Sequence, residues 1–131
     1  MSALKTITQD IVLKAKPEEI YDALVNPEQH AIFTESPATM NPKAEGKFSA
    51  YDGYITGTNV KLNAGKELIQ RWRASDWPAG HYSTVSFSLK KIASKTQLHF
   101  VQTGVPAEFY KDIDAGWKSF YWDKMRKHFS W

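Results

Sequence analysis

The sequence Trp72-Arg73-Ala74-Ser75-Asp76-Trp77-Pro78-Ala79-Gly80-His81-Tyr82 joins two extended runs through an aromatic loop. Pro78 and Gly80 interrupt the extended pattern, so this stretch predicts the end of one strand, a loop and the start of the next strand. Surface loops are usually built from small polar residues, whereas this one carries Trp77, His81 and Tyr82. We therefore expect its side chains to pack against the core of this domain or against a partner.

The segments on both sides of this loop predict an antiparallel meander. Residues 81–90 alternate most regularly, because Val85, Phe87 and Leu89 share one face with Ser83. Asp52-Gly53 separates two extended runs and is typical of a two-residue hairpin turn. The predicted strands of the whole chain cover residues 6–13, 47–51, 54–62, 67–74, 81–90 and 96–103.

Two short helices are predicted after the first strand. Pro17 is well suited to the first position of a helix, and Asn26-Pro27 ends that helix. A second short helix is predicted over residues 28–33. Residues 34–45 contain two prolines and predict an irregular connection.

Residues 111–129 predict a long amphipathic helix. Its apolar face is formed by Ile113, Trp117, Phe120, Tyr121 and Met125, with Trp122, Phe129 and Trp131 at the rim of that face or beyond it. Gly116 lies at the edge of the face, where we expect the missing side chain to let the helix approach the sheet closely.

This order of elements predicts an α+β fold. A curved antiparallel sheet of about six strands would wrap around the long C-terminal helix. Such an arrangement often leaves a cavity between sheet and helix, and the candidate lining residues are Trp72, Phe87, Phe100, Trp117 and Tyr121. Two interpretations of the aromatic helix stay open: packing in the core alone, or packing combined with the wall of a site for a small apolar ligand.

Composition restricts the class of protein. The 131 residues, of which 42% are hydrophobic and 24% charged, predict one soluble globular domain over residues 1–131. The absence of cysteine excludes disulfide and thiolate chemistry. No continuous apolar block opens the chain, so we expect neither a signal peptide nor a membrane span. A net charge of +3 without a block of five like charges predicts no nucleic-acid partner. The absence of cysteine suits a reducing compartment such as the cytoplasm, and we expect a monomer.

No motif for catalysis or for cofactor binding occurs in the sequence. The four histidines are dispersed, no pair has the spacing of metal ligands, and parity favours His81 as the buried one. The carboxylate pairs Glu18-Glu19 and Asp112/Asp114 open helices, where the helix dipole accounts for them. We therefore predict a protein that is not an enzyme and that holds no metal or cofactor. An enzyme built on the same fold is the least favoured alternative.

Six short motifs occur in order along the chain: Ser36-Pro37-Ala38-Thr39; Gly46-Lys47-Phe48-Ser49-Ala50-Tyr51-Asp52-Gly53 followed by Gly57; Arg71-Trp72-Arg73; Trp77-Pro78-Ala79-Gly80-His81-Tyr82; Gly104-Val105-Pro106-Ala107-Glu108; and Gly116-Trp117. Together they resemble the C-terminal domain of the activator of heat-shock protein 90 ATPase, over nearly the whole chain. The resemblance implies a helix-grip fold of the START-like superfamily and a non-enzymatic, intracellular co-chaperone.

The resemblance also implies a partner, the heat-shock protein 90 chaperone, whose ATP-binding segment the C-terminal domain of the family engages. We expect Arg71, Arg73, Trp77, His81 and Tyr82 to face or position that partner, although His81 and Tyr82 point to opposite faces of their strand. The chain is too short for the additional N-terminal domain of full-length members, so we expect it to lack the avidity of two tethered contacts. The alternative function is a START-like carrier or sensor of a small apolar ligand.

Overall fold

The computed structural model describes residues 3–129 and confirms the α+β prediction. The strands are β1 Leu4–Leu13, β2 Thr39–Met40, β3 Lys47–Ala50, β4 Ile55–Asn63, β5 Glu67–Ala74, β6 Ser83–Ile92 and β7 Lys95–Pro106. The helices are α1 Pro17–Val25, α2 Pro27–Thr34, α3 Tyr110–Trp117 and α4 Asp123–His128. A 3₁₀ turn at Ala107–Phe109 precedes α3, and a π-helical turn at Lys118–Trp122 joins α3 to α4. We call residues 110–128 the C-terminal helix.

The strands form one antiparallel sheet in the order β1-β7-β6-β5-β4-β3-β2. Its core face is set by period-two burial, which is clearest in β6, where Ser83, Val85, Phe87 and Leu89 are all buried. The C-terminal helix packs on this face, and the ring of Trp117 lies 4.4 Å from that of Phe100 between centroids. The predicted alternation in β6 is therefore confirmed.

Within residues 3–129 the sheet has seven strands, one more than the predicted number of about six. The additional strand is β2, in the segment predicted to be irregular, where Thr39 pairs with Ser49 and Met40 with Phe48. A strand of two residues is too short to leave a periodic pattern in the sequence.

The predicted two-residue turn at Asp52-Gly53 is present, because the Tyr54 N–H donates to the Tyr51 carbonyl at 3.1 Å. The strands on either side of it stop one residue short of the predicted bounds. Ala50 pairs with Ile55, so residues 51–54 all lie in the loop. Tyr51, Asp52 and Gly53 adopt left-handed backbone conformations, with φ of 49°, 54° and 90°. The Tyr51 side chain leaves the sheet and its hydroxyl donates a hydrogen bond to the Phe120 carbonyl of the C-terminal helix. This long-range contact draws Tyr51 out of β3.

Four residues of the predicted apolar face are buried: Ile113, Trp117, Tyr121 and Met125. The prediction is wrong at Phe120 and in its placement of Trp122 and Phe129. Phe120 is 53% exposed, whereas Trp122 and Phe129 are buried, with 1% and 5% exposure. The reason is the π-helical turn, which holds one more residue than an α-helical turn and so shifts every later position around the helix axis. Trp131 lies outside the described residues.

Two glutamines, Gln102 buried and Gln9 half-buried, accept hydrogen bonds from the residues at the two ends of the π-helical turn. The Trp117 indole N–H donates to Oε1 of Gln102 on β7 at 2.7 Å, and the Trp122 indole N–H donates to Oε1 of Gln9 on β1. The two indole rings stack, with centroids 5.5 Å apart and planes 21° apart. Residues five apart point in different directions on an α-helix, so both indoles reach the sheet only because the turn between them has i→i+5 geometry.

Candidate functional site

An open cavity of about 390 Å³ lies between the 51–54 loop, β5 and the C-terminal helix. Its walls are almost entirely apolar. The lining residues are Tyr51, Tyr54, Ile55, Trp72, Asp112, Ile113, Gly116, Trp117, Phe120 and Tyr121. Cavities of this size and character are typical of small-molecule sites.

The deep wall of the cavity is held rigidly. The rings of Trp72 and Tyr121 lie 5.5 and 4.6 Å from the ring of Trp117. Gln102, which accepts from Trp117, donates through Nε2 to the Ser83 hydroxyl at 2.9 Å, and that hydroxyl donates to the Trp72 carbonyl at 2.9 Å. One chain of buried hydrogen bonds therefore fixes the Trp117 indole and the Trp72 backbone, while ring contact with Trp117 positions the Trp72 side chain.

Gly116 keeps the cavity open. A Cβ atom at this position would meet only the Phe120 ring, at 3.8 Å, which is an ordinary van der Waals contact. The expectation that Gly116 brings the helix close to the sheet is therefore wrong, because the space beside it is cavity rather than sheet.

The mouth of the cavity combines aromatic rings with carboxylates. The Tyr54 hydroxyl donates to Oδ1 of Asp76 at 3.1 Å. Burial, followed by the hydrogen bond to Asp76 and the charges of Asp76 and Asp112, raises the pKa of Tyr54. Burial and the charge of Glu35 raise the pKa of Tyr51 well above its ordinary value. Burial thus favours the neutral form of both phenols, which act as hydrogen-bond donors at the mouth.

The buried histidine is His30, not His81 as parity favoured. His30 is 3% exposed, with Nδ1 3.1 Å from the Ala23 carbonyl and Nε2 3.0 Å from the Tyr121 hydroxyl. A carbonyl can only accept, so Nδ1 carries the proton and the Tyr121 hydroxyl donates to Nε2. Burial lowers the pKa of His30 to about 4, although hydrogen bonds to the Ala23 and Leu24 backbone oppose the shift. The neutral His30 ring thus accepts a hydrogen bond from Tyr121, which lines the cavity, and fixes the position of its hydroxyl.

We expect acid to destabilise the protein through His30. Its pKa is about 4 in the folded protein and 6.5 without the burial, so between these values the unfolded chain binds a proton that the folded chain does not. The free energy of unfolding therefore decreases as the pH is lowered, by about 2 kcal/mol from about pH 7.5 to about pH 5. Urea denaturation at a series of pH values measures this fall.

Two histidine variants separate this effect from general acid denaturation. His30→Gln is expected to lose most of the pH dependence in this window. His99→Gln is expected to keep it, because His99 is exposed and contacts only the Asp10 carboxylate, at 2.7 Å. A pH dependence that is the same in His30→Gln and the wild-type protein would contradict the assignment.

Of the five residues predicted to line a cavity, the structure brings three together. Trp72, Trp117 and Tyr121 line it, whereas Phe87 and Phe100 are buried behind Trp117, with rings 5.9 and 4.4 Å from its ring. Sequence reasoning missed the mouth, formed by Tyr51, Tyr54, Asp112 and Phe120. Gly116, which interrupts the apolar face of the C-terminal helix, was the one feature of the sequence that indicated this opening.

The five residues predicted to face or position a partner fall into two groups. Arg73, Trp77 and His81 form the corner after β5, where the Arg73 guanidinium donates to the carbonyls of Trp77 and Pro78 at 2.8 and 3.2 Å. His81 Nε2 donates to the Gly104 carbonyl at 2.8 Å. The Trp77 side chain is 3% exposed, so its role in any contact is to shape the corner rather than to present a surface.

Arg71 and Tyr82 form the second group, on the outer face of the sheet. The Arg71 guanidinium lies over the Tyr82 ring, 4.7 Å from its centroid. They line a surface depression of about 450 Å³ with Lys47 and several hydroxyls, which we call the basic groove. It consists of Thr39, Lys47, Phe48, Ser49, Thr56, Gly57, Thr58, Arg71 and Tyr82.

The described residues offer neither a metal site nor a membrane-spanning helix. Within residues 3–129, no three histidine, aspartate or glutamate side chains are grouped as metal ligands would be. Over the same residues, every helix is too short or too polar to cross a membrane.

Comparison with known proteins gives consistent matches. Residues 14–130 match the family model of the Activator of Hsp90 ATPase homolog 1-like protein. An activator of 90 kDa heat shock protein ATPase homolog from Dictyostelium discoideum is 33% identical over 97% of the chain, and homolog 1 from Homo sapiens is 30% identical over 98% of it. The chain spans only 33% and 39% of the lengths of these relatives. The crystal structure of an HSP90 activator from Plasmodium falciparum superposes with a TM-score of 0.88 at 20% identity, over 94% of each chain.

Proposed function

This chain belongs to the activator of Hsp90 ATPase homolog 1-like family, and on that premise we propose that it is a cytoplasmic, co-chaperone-like interaction module. It binds the ATP-binding segment of the HSP90 chaperone and modulates its ATPase without being an enzyme itself. The observation that carries this proposal is the family match over residues 14–130, supported by relatives named as activators that align with nearly the whole chain.

The contact surface that we propose is the basic groove. Arg71 and Tyr82 are exposed and order each other through their stacking, and Lys47 adds a second positive charge beside them. Arginine and tyrosine are frequent hot-spot residues in protein interfaces. Arg73, Trp77 and His81 would hold the neighbouring corner in shape rather than contact the partner directly.

A calorimetric titration of the chaperone's ATP-binding segment, combined with an ATPase assay of the whole chaperone, tests this proposal. We expect measurable binding and a change in ATP turnover, and we expect Arg71→Ala and Tyr82→Ala each to weaken binding about tenfold or more. Lys90→Ala is the matched control, because Lys90 is exposed on β6 outside the groove. Absence of both heat and altered turnover at high micromolar concentration would contradict the proposal.

A second function is favoured by the cavity. An apolar space of about 390 Å³ with a rigid aromatic wall suits a carrier or sensor of a small apolar ligand. We expect the neutral apolar dye N-phenyl-1-naphthylamine to bind there and to brighten.

Two leucine variants localise this binding. Gly116→Leu is expected to abolish it by filling the cavity, whereas Ala115→Leu, at the exposed neighbouring position, is expected to leave it intact. Equal dye binding by the two variants would contradict the assignment.

A further inference from the structure

Among residues 3–129, the cavity has one charged lining residue, Asp112, and no basic one. Asp112 is exposed and forms no hydrogen bond or ion pair in the described part of the chain. Other acids of the C-terminal helix are paired: Asp114 lies 3.5 Å from the Lys118 ammonium, and Asp123 lies 3.4 Å from the Arg126 guanidinium. Asp112 thus presents a carboxylate without an ion-pair partner at the mouth of an apolar cavity, opposed only by the dipole of the helix that it opens.

Two further carboxylates strengthen this negative charge. Asp76 and Asp112 both act on the Tyr54 phenol at the mouth, and Glu35 acts on the Tyr51 phenol. The Lys124 ammonium lies 3.8 Å from Glu35 and offsets part of that charge. The Asp112 and Asp76 carboxylates therefore both lie at the mouth, although the chain as a whole carries a net charge of +3.

The aromatic rings of the cavity, like its carboxylates, favour a positively charged ligand. The faces of tryptophan and tyrosine rings are electron-rich and attract cations within about 6 Å of the ring centroid. Trp72, Trp117 and Tyr121 form the deep wall, and Tyr54 and Phe120 lie at the mouth, with 42% and 53% exposure. An anionic headgroup would be repelled both by these faces and by Asp112.

We propose that the cavity selects small cationic amphiphiles: an apolar body fills the space along Trp72 and Trp117, and a protonated amine lies at the mouth beside Asp112. This inference rests on the proposed ligand-binding function and names the chemical class of the ligand. Neutral molecules of the same shape bind more weakly, and anionic ones bind most weakly.

A matched set of three probes tests the charge preference. Octylammonium, octan-1-ol and octanoate share one hydrocarbon chain and differ in headgroup charge at neutral pH. Titrations followed by tryptophan fluorescence are expected to show octylammonium binding about five- to fiftyfold more tightly than octanoate, with octanol between them. The preference is expected to shrink as salt is added, because the mouth is open to solvent.

Two carboxylate variants assign the preference to Asp112. Asp112→Asn is expected to remove most of it while changing the octanol affinity less than about twofold. Asp123→Asn is the control, because Asp123 belongs to the same helix but does not line the cavity. A preference that persists in Asp112→Asn would overturn the assignment.

The remaining outcomes separate this inference from the function on which it rests. Octanol binding without any preference for octylammonium would overturn the charge inference and leave the apolar ligand site standing. Tight binding of octanoate would do the same. Failure of all three probes to bind would overturn both.

Discussion

Replacing Trp122 with alanine is expected to lower the free energy of unfolding by about 3–5 kcal/mol. The side chain is 1% exposed, stacks on Trp117 and donates its indole N–H to Gln9. Its removal leaves a large cavity and takes the hydrogen-bond donor from the half-buried Gln9 amide oxygen, and each of these costs stability. Reversible urea denaturation followed by far-ultraviolet circular dichroism measures the loss.

The control for this prediction is Phe120→Ala, two residues earlier. Phe120 is 53% exposed, so its truncation is expected to cost less than about 1 kcal/mol. An uninterrupted α-helix would give the reverse order, because Phe120 and not Trp122 would then continue the face of Ile113 and Trp117. Equal or reversed losses would therefore contradict the π-helical turn at Lys118–Trp122.

Replacing Gly57 with alanine is expected to destabilise the protein by about 3 kcal/mol or more. Gly57 lies opposite Trp72 in the β4–β5 ladder. A Cβ atom there would lie 1.8 Å from the Arg71 carbonyl oxygen and 2.8 Å from the Phe48 ring, so the strands would have to separate. Thermal unfolding and the urea midpoint both report this loss.

Gly116→Ala is the matched control, because the same methyl group is added where it meets nothing closer than 3.8 Å. Alanine favours the helical backbone over glycine, so this variant is expected to gain about 0.5–1 kcal/mol. Comparable losses in Gly57→Ala and Gly116→Ala would show that the difference in space around the two glycines is not what decides stability.

Features with a local cause could be predicted from the sequence. The alternation of residues 83–89 was sufficient for β6, because a strand packed on one face buries every second side chain. Pro17 and Asn26-Pro27 were sufficient for the bounds of α1, because proline fits a helix only in its first turn. The order of these elements determined the fold class.

Features with a distant cause could not be predicted. The π-helical turn exists because Gln9 and Gln102, on two different strands, each accept an indole N–H from one helix. Tyr51 leaves its strand because a carbonyl on the C-terminal helix accepts its hydroxyl. His30 is buried because Tyr121, 91 residues later, donates to its ring. No periodicity within a segment records such partners.

The candidate site divides in the same way. Trp72, Trp117 and Tyr121 were identified from the sequence because side chains on apolar faces of a strand and a helix must meet between sheet and helix. Tyr54 and Asp112 at the mouth were not identified from the sequence, because residues of a loop and of a helix edge meet only after the chain has folded. The sequence by itself thus determined the family, the fold class and the aromatic wall. Only the tertiary structure decided the opening and its charge, because both depend on contacts between residues far apart in the chain.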